Sequence, residues 1–284
     1  VNMKKIALKL NGKTAYFDLF EEEAPITCAR LLEILPQKID IHYAKFAGQE
    51  ILGVIPMMAP IEGGKSLDEI EQGCVAFYPD RAFFCIYYGE LQDEDVSITV
   101  IGQLHADEAF VSEMEKCRYR QGDLLEIYDP EASESVYAPH TFAIDTNMGW
   151  EKMPEDIQSV FKKRGISLPG GPILNAEGES RKLGDLLYTL YISVLNNEEY
   201  GKPFVNRLLD YYAFKIGGWC GMHDRAGDIL KYKDLLMDET RDRREVLVDF
   251  IYWANRMNMW IDLLIPWEDI TELMRRPDDT QEPF

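Results

Sequence analysis

Two groups of residues carry the types and spacing that chemistry needs. The first is Gly217-Gly218-Trp219-Cys220-Gly221-Met222-His223-Asp224-Arg225. Cys220 and His223 stand three apart, Asp224 is placed to orient an imidazole, and the helix predicted to follow would stabilise a thiolate or an anionic intermediate with its N-terminus. These are the parts of a cysteine hydrolase. The same residues also describe a plain interhelical turn, in which the glycines allow the bend, Trp219 and Met222 enter the core, and Asp224 caps the next helix. A hydrolase that draws base and nucleophile from a single turn would also be geometrically unusual. The second group is Glu50 with Gly48 beside it, and His42 with Tyr43 on the preceding strand. A carboxylate and an imidazole at the mouth of a pocket supply general acid and base if partial burial moves the carboxyl toward neutrality. The plainer alternative is a solvated strand edge and a hydrogen-bonded surface histidine. Tyr78, Tyr88 and Trp219 complete the candidate pocket lining, although strand aromatics are most often packing residues. Alternation puts Tyr87 and Tyr88 on opposite faces of their strand.

The elements that must position these groups divide the chain in two. Lys5–Leu10 and Thr14–Leu19 flank Asn11-Gly12, a hairpin signature in which both turn residues tolerate positive φ. Pro25 opens a helix that Pro36 stops. Strands are predicted at 41–46, 50–54, 74–78, 82–88, 96–104 and 123–128, with a short helix over 108–117. From Pro154 onward the alternation gives way to helical periodicity, predicting helices at 155–163, 182–195, 203–216, 225–237 and 241–264 and a short one near 267–274. The segment 168–172 reads as a loop without the lysine and spacing of a phosphate cradle. The predicted organisation is α+β, a closed barrel with short helices over 1–148 followed by an all-helical domain over 149–284.

The stretch Asp18–Leu32 and the segment Ile51-Leu52-Gly53-Val54-Ile55-Pro56 resemble the opening and the Phe-His-Arg-x-Ile-Pro region of the cyclophilins. A closer resemblance is to small bacterial cyclophilin-like proteins. It is carried by Leu35-Pro36, Gly48-Gln49-Glu50-Ile51, Gly73–Pro79, Ile86-Tyr87-Tyr88-Gly89 and Val100–Leu104, over roughly residues 5–128. The resemblance implies a cyclophilin-like β-barrel. The isomerase arginine is replaced by Gly53 in one register and Glu50 in the other, so prolyl isomerase activity is not expected.

Composition narrows the partners. Fifty acidic against thirty basic residues give a formal charge of −20, which repels phosphate backbones and anionic lipid surfaces and argues against nucleic acid and membrane partners. The five cysteines are scattered and read as reduced thiols in a cytoplasmic protein, since the start lacks a signal-peptide pattern. His42, His105, His140 and His223 form no metal-binding unit, the acidic run 90–95 lacks the order of a calcium loop, and no cofactor is expected. The wide apolar surface of Val246, Phe250, Trp253, Met257 and Trp260 predicts a core helix with surface left for the barrel or for a second copy of the chain in a homodimer. Three functions remain open: a hydrolase or isomerase acting on a small amide or lactam between barrel and helices, a metabolite-binding accessory subunit, and a peptide-interaction module on the barrel.

Overall fold

The computed structural model describes residues 3–92, 96–120, 122–132, 136–149, 151–162, 171–198 and 201–267. Eight antiparallel strands, β1 (Lys5–Leu10), β2 (Lys13–Leu19), β3 (Gln37–Tyr43), β4 (Gly48–Val54), β5 (Cys74–Tyr78), β6 (Phe83–Leu91), β7 (Thr99–His105) and β8 (Asp123–Tyr128), close a barrel in the order β1-β2-β7-β5-β6-β4-β3-β8. Closure is completed by β8 pairing with β1, from Leu10 opposite Leu125 to Ala7 opposite Tyr128. Asn11 and Gly12 both have positive φ, as a two-residue hairpin turn with the right-handed strand twist requires. Ile6, Leu8, Leu10, Phe17, Leu19, Ile51, Val75, Phe84 and Ile86 are fully buried and alternate along their strands, filling the barrel interior. The helices α1 (Pro25–Ile34) and α2 (Glu108–Lys116) lie against the barrel. Asp107 caps α2 by accepting from the Phe110 amide, and Glu62 does the same for α1 from a distance, accepting from the Ile26 and Thr27 amides.

The second half is helical, with α3 (Glu155–Lys162), α4 (Gly171–Leu195), α5 (Lys202–Phe214), α6 (His223–Met237) and α7 (Arg243–Leu263), and a π-helical turn at Lys215–Trp219. α7 is buried almost all round, between α4, α6 and strand β4. Its apolar surface is therefore spent within the chain, and the expectation of a homodimer loses the helix that motivated it. Barrel and helices are tied by Tyr191 donating to the Met58 carbonyl at 3.2 Å and by Arg81, which reaches the Arg181 carbonyl at 3.3 Å and Asp185 at 3.2 Å.

Several expected boundaries move. β3 starts at Gln37, directly after Pro36, and ends at Tyr43, leaving 44–47 as a loop. α4 begins at Gly171, so Gly171 and Pro172 are the first turn of a helix and not a loop, in keeping with proline's tolerance there. Its first half buries Glu177 and Ser180, which removes the apolar periodicity that would reveal it. Residues 163–170, the tail beyond 267 and the helix expected near 267–274 lie outside the described residues, as do 93–95 of the acidic run. Among the described residues, no helix is long and apolar enough to cross a membrane.

Candidate functional site

Glu50 owes its position to its neighbours in sequence. Gly48 sits at φ +104°, where a Cβ would come within 2.4 Å of the Glu90 carbonyl, and the β4–β6 register shifts between Gly48 and Glu50. That bulge lets the Gln49 side chain lie over Gly89, whose missing Cβ makes the room, and accept from the Glu90 amide at 2.7 Å. Glu50 then stands opposite Tyr87, which in turn stands opposite Cys74 on β5. These residues, with Leu52, Cys85 and Ala76, form a patch separate from the barrel interior, on the outer face of β4, β6 and β5. His42 pairs with Leu52, so imidazole and carboxylate are diagonal neighbours on that face. Both are buried, Glu50 to 4% exposure and His42 to 1%.

The helices cover this face and leave a cavity of about 250 Å³. From the barrel side it is lined by His42, Glu50, Tyr78, Arg81, Phe83 and Tyr87, and from the helices by Arg181, Asn258, Met259 and Asp262. Lys45 and Phe46 of the 44–47 loop also line it, with the Phe46 ring meeting Trp267 edge-on at 5.9 Å. Arg181 is fixed by Glu177 at 2.6 Å, and Asn258 by Ser180 at 2.9 Å. The electrostatics are those of a dry site. Burial, then the Glu50 charge and the hydrogen bond the thiol donates to Glu50, push the Cys85 thiol well above its usual range. Burial also raises Tyr87, helped by Cys85 and Glu50. Across the cavity burial raises the Asp262 carboxyl, opposed by Lys45 and by the hydrogen bond from Trp267 at 2.8 Å. Two carboxylates, a histidine and three cations thus surround an apolar floor, an arrangement suited to holding a small polar molecule and moving a proton on it.

Of the residues singled out in the sequence, the structure brings His42, Glu50 and Tyr78 together on this cavity. It lies outside the barrel wall and not in the barrel mouth, because Glu50 alternates with interior Ile51. Tyr88 faces the other way, donating to Glu115 on α2 at 2.7 Å; Tyr87 is the one that lines the cavity. The Cys220 turn is elsewhere. Cys220 is buried, and burial followed by the Glu179 charge pushes its thiol up to about 11, away from nucleophilic use near neutral pH. His223 and Asp224 are exposed and line a different cleft with Arg225, Asp228 and Lys231. Trp219 is 56% exposed, with the Lys215 ammonium 3.0 Å from its ring centre, and is neither pocket wall nor core. Asp224 does not cap α6, which starts at His223; the Arg225 amide donates to Asp156 of α3 instead, at 3.0 Å. The glycines have a packing reason, since a Cβ on Gly217 would lie 2.9 Å from Ala226, and Gly221 has φ +78°. Cys220→Ser is therefore expected to leave ligand binding and any turnover in the cavity unchanged, checked by titrating the same ligand into both proteins. Arg81, Arg181, Asn258 and Asp262 were not indicated by sequence, as no local spacing joins them to Glu50. Among the described residues, no three His, Cys, Asp or Glu side chains gather as a metal site.

A family model described as protein of unknown function (DUF3830) matches residues 6–98, which span the barrel from β1 to the residues after β6. Among solved structures, that of McbB in complex with tryptophan superposes with a TM-score of 0.73 at 15% identity, covering 94% of this chain and 99% of McbB. The likeness extends over barrel and helices alike and shows a shared fold. The solution structure of the hypothetical protein AF2241 from Archaeoglobus fulgidus aligns with 45% of this chain at 19% identity, with a TM-score of 0.35 over 95% of its own length. No curated protein matches the chain.

Proposed function

We propose that the protein binds a small metabolite with an apolar body and an ionised head group in the cavity between barrel and helices, and that Glu50 exchanges a proton with it. The observation that carries this reading is the convergence of Glu50 and His42 from the barrel with Arg181 and Asp262 from the helices around one cavity. Arg81 and Arg181 match a carboxylate head group, Tyr78, Phe83 and Met259 match an apolar body, and the Glu50 carboxylate stands among them, placed to exchange a proton with the ligand. The tryptophan held by McbB, a protein of the same fold, supports an amino-acid-sized ligand as the first probe class. Acyl transfer through Cys220 falls away with its burial, which leaves proton transfer, as in an isomerisation or a water-assisted opening of an amide or lactam. A cavity of about 250 Å³ also favours a metabolite over a peptide, which would need an extended groove.

The test is a thermal-shift screen of amino acids, small amides, lactams and carboxylates, followed by calorimetry of any compound that stabilises the protein. A specific hit whose affinity falls roughly tenfold to a hundredfold in Glu50→Gln supports the reading, as expected for the loss of a charged hydrogen bond. Binding that ignores this substitution, or a folded protein that binds none of these classes, would overturn it.

A further inference from the structure

A second and larger space lies against α7, lined by neither Glu50 nor His42. It is a cleft of about 750 Å³ between the outer face of β3, the segment 137–149 and α7. Its wall is aromatic: Phe142 stacks on Tyr252 with ring centres 5.6 Å apart and planes 19° off parallel, and His140 meets both rings edge-on at 5.0 and 4.8 Å. That wall is held rigidly. His140 is bonded through Nε2 to Asp249 at 2.6 Å, and Asp249 also accepts from the Ala143 amide at 2.8 Å and the Tyr232 hydroxyl at 2.7 Å. Beside the aromatic wall stand a cation from the helix and one from the barrel. Arg256 is 8% exposed, with its guanidinium donating to the Tyr252 hydroxyl at 2.7 Å. Lys38 lies over the Tyr137 ring at 5.4 Å.

We infer that this cleft is a second ligand site, for a planar aromatic carboxylate whose ring lies along Phe142 and Tyr252 and whose carboxylate meets Arg256. A largely desolvated guanidinium recognises carboxylates in a forked geometry that an ammonium does not reproduce, and an aromatic wall beside it selects a flat body. The cleft also holds carboxyls, and their positions decide the sign. Asp145 and Glu151 are exposed at the rim, where solvent and salt screen them. Asp249 is turned away into its own hydrogen bonds. Asp40 is the acidic group inside; burial pushes its carboxyl up to about 6 against the pull of Arg256, so it still carries most of its charge at pH 7 and ceases to oppose an anion only as the pH falls below about 6.

The chain contains four histidines, which makes the test direct. His140 reports on this cleft and His42 on the cavity beside Glu50, so ring-nitrogen NMR of histidine-labelled protein separates the two sites in one titration. Naphthalene-2-carboxylate is expected to move the His140 signals and leave those of His42 in place, with naphthalene-2-methylamine moving neither. Arg256→Lys is expected to weaken the carboxylate roughly tenfold by losing the fork. If that variant loses its native spectrum, Lys38→Gln makes the same test from an exposed position with a smaller loss. No movement of His140, equal movement by the amine, movement of His42 alone, or a His140 response that survives both substitutions overturns the inference. Glu50→Gln leaves the His140 response intact if the two sites are independent, so a failure of one reading is not a failure of the other.

Discussion

Replacing Arg225 with methionine is expected to destabilise the protein by about 3 kcal/mol, the low end of the ~3–5 kcal/mol that follows from removing one partner of a buried charge pair. Arg225 is 1% exposed and lies 3.6 Å from Asp156 and 3.5 Å from Asp228, while its guanidinium also bonds Asn147. Methionine would fill much of the volume and supply none of the charge, leaving Asp156 in a desolvated place. Lys231 still reaches Asp228 at 3.0 Å and the Thr146 hydroxyl donates to it at 2.5 Å, which is why the cost stays at the low end. Urea unfolding followed by circular dichroism gives the shift in midpoint. Arg225→Lys recovers part of the loss if charge matters, and none if the side chain serves by shape alone.

The other large effect is expected at Trp253. It is fully buried on α7 beside Tyr232 and Phe250, whose rings stack 4.3 Å apart, and its indole donates to the Thr146 hydroxyl at 3.3 Å. Trp253→Ala opens a void that the surrounding helices cannot close, at a cost of about 3–5 kcal/mol. Trp253→Phe keeps most of the packing and is expected to cost clearly less; equal losses in urea unfolding for the two variants would mean that the hydrogen bond to Thr146, and not packing, is what counts. Both predictions converge on Thr146 and Asn147, residues that carry one wall of the larger cleft, so protease sensitivity near 137–149 is expected to rise with the loss of stability.

Much of the barrel was legible because its signals are local. Asn11-Gly12 specifies its hairpin through backbone freedom, the period-two alternation of β1 and β2 marks faces, and Pro25 and Pro36 bracket α1 by removing donors. Even the Gly48-Gln49-Glu50 and Ile86–Gly89 segments, noticed as a family pattern, turn out to be two halves of one bulge contact. Where reading failed, the determining partners were distant. Alternation shows that Tyr87 and Tyr88 oppose each other but not which faces the interior, and that depends on strand β5 and helix α2, both distant in sequence. The first half of α4 hides its periodicity because Glu177 and Ser180 are buried against Asn258, far along the chain. The Gly217–Arg225 turn had the more suggestive spacing of the two candidate sites, yet spacing cannot report burial, and burial is what disarms Cys220. Arg81, Arg181 and Asp262 reach Glu50 only through the docking of helices on the barrel, which no window of sequence contains.

The closing pair of the barrel has a consequence for how the protein is made. Strand β1 finds its second neighbour only in β8, so during synthesis the first strand emerges more than a hundred residues before the chain segment that will cover its free edge. Until then its open edge is available to other nascent chains. Lys5 and Lys9, charged and exposed on that same strand, place ammonium groups along the waiting edge and disfavour the wrong neighbour while the right one is still on the ribosome.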